Sequence, residues 1–367
     1  MVVAVTTVAS FDVAYTGYLD TSGHPKQALP AFARDREALV SLYRAMVLTR
    51  AFDAKAIALQ RTGRLGTYPS CLGQEAVAVG LGAAMAPDDV LLPYAREQGA
   101  QLLRGVTPTE LFLYWGGDER GSDFGGPRED FPICVPVASQ APHAVGVALA
   151  FRLRGEPRVA VCVMGDGATS KGDFYEALNV AGAWRLPAVF VVTNNQWAIS
   201  LPRSAQTAAT TLAQKAIAAG FSGEQVDGND VVAVRDVVHR ALTGARGGAG
   251  PHLVEAVTYR LSDHTTADNA SRYRDDEAVG RHWREDAIAR LRAYLTAAHG
   301  WTKDDEEATL AACASDVERA ADEYLATPPQ PPEAVFDYLY EHVPADLAGQ
   351  RAAAIEARGA AARSADG

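Results

Sequence analysis

An α/β fold is predicted for this chain, with a central, mostly parallel sheet carrying helices on both faces and a helical C-terminal extension. Three observations predict it. Short valine-rich apolar runs recur, such as Arg158 to Met164 (RVAVCVM) and Ala188 to Thr193 (AVFVVT), and unbroken runs of this length suit strands buried on both faces. A stretch with helical periodicity separates these two, so they form one βαβ unit whose strands run parallel. At 367 residues the chain is long enough for a large single core.

Each element follows from its pattern. Residues 1–34 read as an irregular N-terminal arm. Asp35 to Leu59 reads as a helix, with Leu39, Tyr43, Met46 and Val47 on one side. Gly73 to Met85 (GQEAVAVGLGAAM) reads as a small-residue helix suited to close packing, and Val90 to Pro93 as a short strand. Residues 116–132 (GGDERGSDFGGPREDFP) combine glycine with charge and read as a mobile surface loop. Gln140 to Arg152 reads as a helix. The strand at Arg158 to Met164 turns through GDGATSKGD into FYEALNVAGAWR, where Phe174, Leu178, Ala181 and Trp184 share a helical face. Leu186-Pro187 closes that helix before the strand at Ala188 to Thr193. Val231 to Leu242 is a helix with Val234, Val237 and Val238 inward, Leu253 to Thr258 a strand, and Asp263 to Arg274 a polar loop. The remainder is mostly helical. Pro328 to Pro332 (PPQPP) is a stiff linker, which bounds a domain over residues 35–327 and an extension over 328–367. The segment AVFDYLYEHVP that follows is expected to dock on a partner, and the last sixteen residues to fray. There is no internal repeat.

Composition narrows the function. A net charge of -11 at pH 7 disfavours nucleic acid or an anionic membrane surface as partner. The four cysteines (Cys71, Cys134, Cys162 and Cys313) have no metal-site spacing, and a reducing cytoplasm fits them best. The first twenty residues show no basic stretch or cleavage pattern of an export signal, and no apolar run is long enough to span a bilayer.

Gly165-Asp166-Gly167, with Asn194-Asn195 roughly thirty residues on, carries the chemistry. Asp166 and Asn195 fall at the carboxyl ends of neighbouring parallel strands, where open α/β sheets place ligands. Mg²⁺ takes oxygen ligands in near-octahedral geometry and leaves several positions to phosphate and water. Asp166 offers a carboxylate, Asn195 an amide oxygen, and the chain near Trp197 a backbone carbonyl. Gly165 and Gly167 let the backbone pass close to a diphosphate, and the N-terminus of the following helix favours an anion. By itself the motif also allows a nucleotide-type glycine turn.

The wording GDGATSKGDFYEALNVAGAWRLPAVFVVTNNQWAIS resembles the thiamine-diphosphate signature of the alpha subunit of the decarboxylating component of 2-oxo acid dehydrogenase complexes. Four further stretches follow in the family's order: ALQRTGRLGTYPSCLGQEAVAVG, PVASQAPHAVG, QVDGNDVVAV and LVEAVTYRLSDHTTADNASRYR. The resemblance runs from about Leu42 to about Tyr340. It implies the thiamine-diphosphate-binding fold, with thiamine diphosphate and Mg²⁺ as cofactors. It also implies oxidative decarboxylation of a 2-oxo acid with acyl transfer to a lipoyl group on an acyltransferase core, and an α₂β₂ heterotetramer whose beta subunit completes the site.

The resemblance carries over site residues. Gly165, Asp166, Gly167, Ala168, Asn195 and Trp197 would hold the cofactor, with Asp166, Asn195 and the Trp197 carbonyl on the metal. Arg96 would hold the diphosphate as a bidentate donor. The family reads tyrosine-arginine where this chain has Tyr94-Ala95-Arg96, so either Tyr94 supplies the hydroxyl or the pocket is larger there. Val137 would line the thiazolium side. Cys134, Pro136, Ser139 and Gln140 match a potassium site of some relatives; capping of a helix by Ser139 is the alternative. His264 matches a histidine beside the reactive carbon, where it would move protons. Arg260 is carried over to the cofactor site, and with Asp268, Tyr273 and Arg274 it would order the loop. Asp263 and Asn269 depart from the pattern, and Asp263 is expected to raise the imidazole pKa. Thr265 matches a phosphorylated position in some eukaryotic relatives, and Lys171 stands where relatives often carry Glu or Gln. Branched-chain 2-oxo acids are the favoured substrates, pyruvate the alternative; a non-catalytic scaffold is the reading from another class.

Overall fold

The computed structural model describes residues 6–337 and 339–365. The first five residues of the arm, residue 338 of the AVFDYLYEHVP segment and the last two of the tail lie outside the described residues.

Six strands form one parallel sheet: β1 (Tyr15–Thr16), β2 (Val90–Leu92), β3 (Ala160–Gly165), β4 (Ala188–Asn194), β7 (Gly223–Asp227) and β8 (His252–Val257), in the spatial order β1-β7-β8-β4-β3-β2. A short antiparallel hairpin, β5 (Trp197–Ala198) and β6 (Leu201–Pro202), follows β4. The helices are α1 (Arg36–Arg61), α2 (Glu75–Ala84), α3 (Gln98–Leu103), α4 (Pro108–Trp115), α5 (Gln140–Arg154), α6 (Gly172–Ala183), α7 (Arg203–Gln206), α8 (Lys215–Ala218) and α9 (Val231–Arg246). Beyond the sheet come α10 (Asp276–His282), α11 (Ala287–His299), α12 (Lys303–Ala326), α13 (Ala334–Asp337) and α14 (Ala345–Ala365).

The valine-rich runs are buried on both faces because strand residues alternate between two cores. Ala160, Cys162 and Met164 of β3 pack with Phe190 and Val192 of β4 against α5 and α6. Val161 and Val163 pack with Val189 and Val191 against α2 and α9 on the opposite face. The helix linking β3 to β4 therefore lies on one face and the helix linking β7 to β8 on the other. The crossovers change face between β4 and β8, which opens a crevice at the carboxyl ends of these strands. Register places Gly165 beside Thr193, and Asn194 beside Val257, so the chain segments leaving β3, β4 and β8 converge there.

Several elements differ from expectation. The N-terminal arm is not wholly irregular. It contributes β1 at the sheet edge, and the Asp230 carboxylate accepts the Tyr18 and Leu19 N–H groups at 2.7 Å each while also capping α9. Segment 116–132 is tied down rather than free: Phe124 is buried, and Asp130 accepts from the Leu91 N–H at 2.8 Å and pairs with the buried Arg104. The described part of the tail belongs to α14, as its alanine content favours. Among the described residues no helix is long and apolar enough to cross a membrane. The four cysteines are free, and all but Cys134 are buried.

Candidate active site

A cavity of about 340 Å³ opens at the carboxyl ends of β3 and β4. Ten residues proposed from the sequence reach its wall: Tyr94, Arg96, Val137, Gly165, Asp166, Gly167, Ala168, Asn195, Trp197 and His264. Arg260 does not. It is fully buried behind His264, where it donates to the Ile199 carbonyl at 2.8 Å, the Trp197 carbonyl at 3.4 Å and the Tyr273 hydroxyl at 2.9 Å. In this structure the Arg260 guanidinium holds the backbone of the hairpin.

β3 delivers Asp166 directly into a 3-10 turn, Asp166–Ser170, and α6 begins only at Gly172. The Asp166 carboxylate accepts the Gly167 N–H through Oδ1 at 2.9 Å, while Oδ2 is buried without a partner. Burial raises its pKa to about 6. Gly167 is required by space, since a Cβ there would lie 2.8 Å from that of Ala198. A Cβ on Gly165 would meet no protein atom within 4 Å, so that face is open to the cavity. Asn194 and Asn195 divide their work. Asn194 points inward to the buried Glu255, and Asn195 faces the cavity with Nδ2 donating to Gln74 Oε1 at 2.9 Å.

The positive side of the site holds two guanidinium groups that make no direct ion pair among the described residues. Arg96 is buried, donates to the carbonyls of Ser70 and His264, and has its pKa lowered by that burial. Burial and the nearby Arg96 charge bring Arg260 to about 10. Among the described residues neither arginine pairs with a carboxylate. Glu97, adjacent in sequence, spends its carboxylate on the Tyr94 and Arg96 N–H groups.

His264 sits between the two guanidinium groups. Its Nδ1 lies 3.1 Å from Arg96 Nη2 and 3.4 Å from Arg260 Nη1. Arginine only donates, so Nδ1 must accept and the ring proton resides on Nε2. Burial and the two positive charges lower the His264 pKa to about 4. The expected upward push from Asp263 does not occur, because that carboxylate turns away to the Ala270 N–H at 2.8 Å. Loop ordering follows the expected set: Asp268 accepts from the His264 N–H and the Tyr273 hydroxyl, and Arg274 donates to the Arg260 and Leu261 carbonyls. Thr266 fastens this loop to Tyr68.

Tyr94 lines the cavity whereas Ala95 is buried in the core with Phe52, Tyr68 and Phe112. Ser139 donates to the Pro136 carbonyl at 2.7 Å and lies 3.0 Å from Cys134 Sγ; it opens α5 without a side-chain cap bond. Gln140 donates to the Val163 carbonyl at 2.7 Å and leaves Oε1 buried and unpartnered. Lys171 also reaches the cavity wall. Sequence reading missed Gln74, Glu97, Ser170, Thr193, Ala198 and Ile199; of these, only Glu97 stood outside the stretches already singled out.

The cavity wall thus joins an unpartnered buried carboxylate oxygen of Asp166 to the buried guanidinium of Arg96, with Arg260 behind His264. Among the described residues no cluster of three or more His, Cys, Asp or Glu could hold a metal ion. Residues 43–333 match the family described as dehydrogenase E1 component, and the chain belongs to that family. It is a thiamine-diphosphate-dependent oxidoreductase family. The chain is 43% identical over 315 residues to the 3-methyl-2-oxobutanoate dehydrogenase subunit alpha of Mycobacterium tuberculosis, which covers 86% of each chain. It is 39% identical over 315 residues to the pyruvate dehydrogenase E1 component subunit alpha of Staphylococcus aureus, covering 86% of this chain and 85% of the relative.

Proposed function

We propose that this chain is the alpha subunit of a branched-chain 2-oxo acid dehydrogenase of the cytoplasm, acting on 3-methyl-2-oxobutanoate. It would work with a beta subunit in an α₂β₂ assembly and pass the acyl group to lipoyl groups of an acyltransferase core. Residues 35–327 would form the cofactor-binding domain and 328–367 an extension. The observation that carries the reading is the unpartnered Asp166 Oδ2 sharing a cavity wall with the buried Arg96.

These residues fit a Mg²⁺-bound diphosphate. Asp166 Oδ2, Asn195 Oδ1 and the Trp197 carbonyl would hold the metal; Arg96 would donate to the phosphates, and Gly165, Gly167 and Ala168 keep that wall free of bulk. When bound, thiamine diphosphate supplies the electron sink that allows a 2-oxo acid to lose carbon dioxide. Tyr94 and Val137 would wall the reactive end. His264 would face the lipoyl sulfur through its Nε2–H; a bound diphosphate, offsetting the Arg96 and Arg260 charges, would raise the imidazole pKa so that the ring can take up and then donate a proton there, while Arg260 fixes the hairpin. Cys134, Pro136, Ser139 and the free Oε1 of Gln140 would hold a potassium ion.

Pyruvate remains the second reading, favoured by the similarity to the Staphylococcus aureus subunit. One methylene in an apolar pocket is worth only about 1–3 kcal/mol, so a few side chains decide it. The complex with its beta subunit should turn over 3-methyl-2-oxobutanoate faster than pyruvate with an artificial electron acceptor. Equal or faster turnover of pyruvate would overturn the branched-chain assignment.

A further inference from the structure

Gln74 stands just before α2, is 2% exposed and lines the same cavity as Asp166. It occupies the cap position of that helix yet makes no side-chain capping bond. Its amide orientation can be read from a chain of obligatory donors. The Trp197 N–H can only donate, and it lies 3.2 Å from Asn195 Oδ1. The other side of that amide, Nδ2, therefore faces Gln74 at 2.9 Å and must meet an acceptor, which is Oε1. Gln74 Nε2 is then left buried, with neither of its N–H bonds satisfied.

Buried donors keep partners unless a ligand supplies them. The same cavity wall carries the unpartnered Asp166 Oδ2, so one acceptor and one donor stand free around a single space. A metal ion satisfies the first. An oxygen-rich anion attached to that metal satisfies the second.

Resting on the reading of the site given above, we propose that Gln74 is a cofactor-positioning residue. Oε1 locks the Asn195 amide so that Oδ1 is presented to the metal, and Nε2 donates to an oxygen of the bound diphosphate. Neither role is open to a hydrocarbon side chain, and only the first is open to a carboxylate.

The test uses the α/β complex, stripped of cofactor, and titration calorimetry with thiamine diphosphate in Mg²⁺. Gln74→Glu keeps the acceptor toward Asn195 but turns a carboxylate toward the phosphates. Gln74→Met removes both contacts at similar volume. Both should raise Kd at least tenfold, with Gln74→Glu the more affected, while melting of the cofactor-free complexes stays near the parent's. Mn²⁺ bound with the cofactor in Gln74→Met should give an altered electron-paramagnetic spectrum, reporting a misaligned Asn195. Binding by the parent with unchanged Kd in both variants overturns the assignment; no binding by the parent removes the reading of the whole site and this assignment with it. Should the variants fail to assemble, a structure of the parent complex with thiamine diphosphate decides: a phosphate oxygen within about 3.5 Å of Nε2 supports the proposal, and a longer separation overturns it.

Discussion

Replacing Asp166 by Asn should stabilise the cofactor-free protein at neutral pH while abolishing its metal site. The Asp166 side chain is 1% exposed, and burial moves its pKa from 3.8 to about 6. The native state therefore keeps a proton between pH 3.8 and about 6 that the unfolded chain has released. Rising pH withdraws stability across that window, and above it the penalty is complete. Two pKa units correspond to about 3 kcal/mol, an upper figure because the backbone relaxes. At pH 5 roughly half of this penalty is already present, so the advantage of Asn over Asp should grow by roughly 1.5 kcal/mol from pH 5 to pH 8. The protonated acid and the amide each leave one polar atom unpaired, so that cost cancels in the comparison. Thermal melting of parent and variant complexes in chelator at the two pH values measures the difference. With Mg²⁺ and thiamine diphosphate the order should invert, since only the parent gains binding energy. A pH-independent difference, or a variant that still gains stability from Mg²⁺, would refute the argument.

His264→Gln should leave decarboxylation with an artificial acceptor within about tenfold of the parent but lower acyl transfer to a lipoyl domain by at least about a hundredfold, as loss of a proton donor does; equal losses in the two assays would count against it. Arg260→Met should raise the His264 pKa from about 4 toward 6.5, because one of two facing positive charges is gone; the imidazole carbon resonances followed against pH read this directly. Ala95→Tyr should lower the melting temperature, since the new ring enters the core beside Phe52 and Tyr68 rather than the cavity, at a cost of about 1–3 kcal/mol or more. Tighter cofactor binding with unchanged melting would show that position 95 faces the ligand after all.

The parallel sheet was legible because its central strands are buried on both faces, and such strands must be continuous apolar runs whatever surrounds them. β3, β4 and α5 through α6 begin or end within two residues of expectation. What escaped was set by contacts distant in sequence. β7 (GEQVD) is polar for a strand, and its backbone pairs with β8 and with an arm more than two hundred residues earlier. α4 did carry a local signal, Thr107-Pro108 with Glu110 three residues after the threonine, and the structure shows the reciprocal capping box.

The candidate site divides the same way. The residues proposed for metal and diphosphate lie mostly at strand ends, where a motif fixes both identity and place. Its supporting residues do not. Among the described residues four non-glycine residues have positive φ, and three of them (Ala138, Gln196 and Ile199) flank cavity-wall residues or belong to the wall. Such conformations cost about 1–3 kcal/mol each and persist only where surrounding contacts impose them. For Ile199 the imposing contact is visible: its carbonyl accepts from Arg260 at 2.8 Å, and the same guanidinium reaches the Trp197 carbonyl and the His264 ring. One buried arginine thus couples the hairpin carrying the Trp197 carbonyl, proposed for the metal, with His264. No spacing rule relates position 260 to position 199, which is why this coupling emerges only from the folded chain.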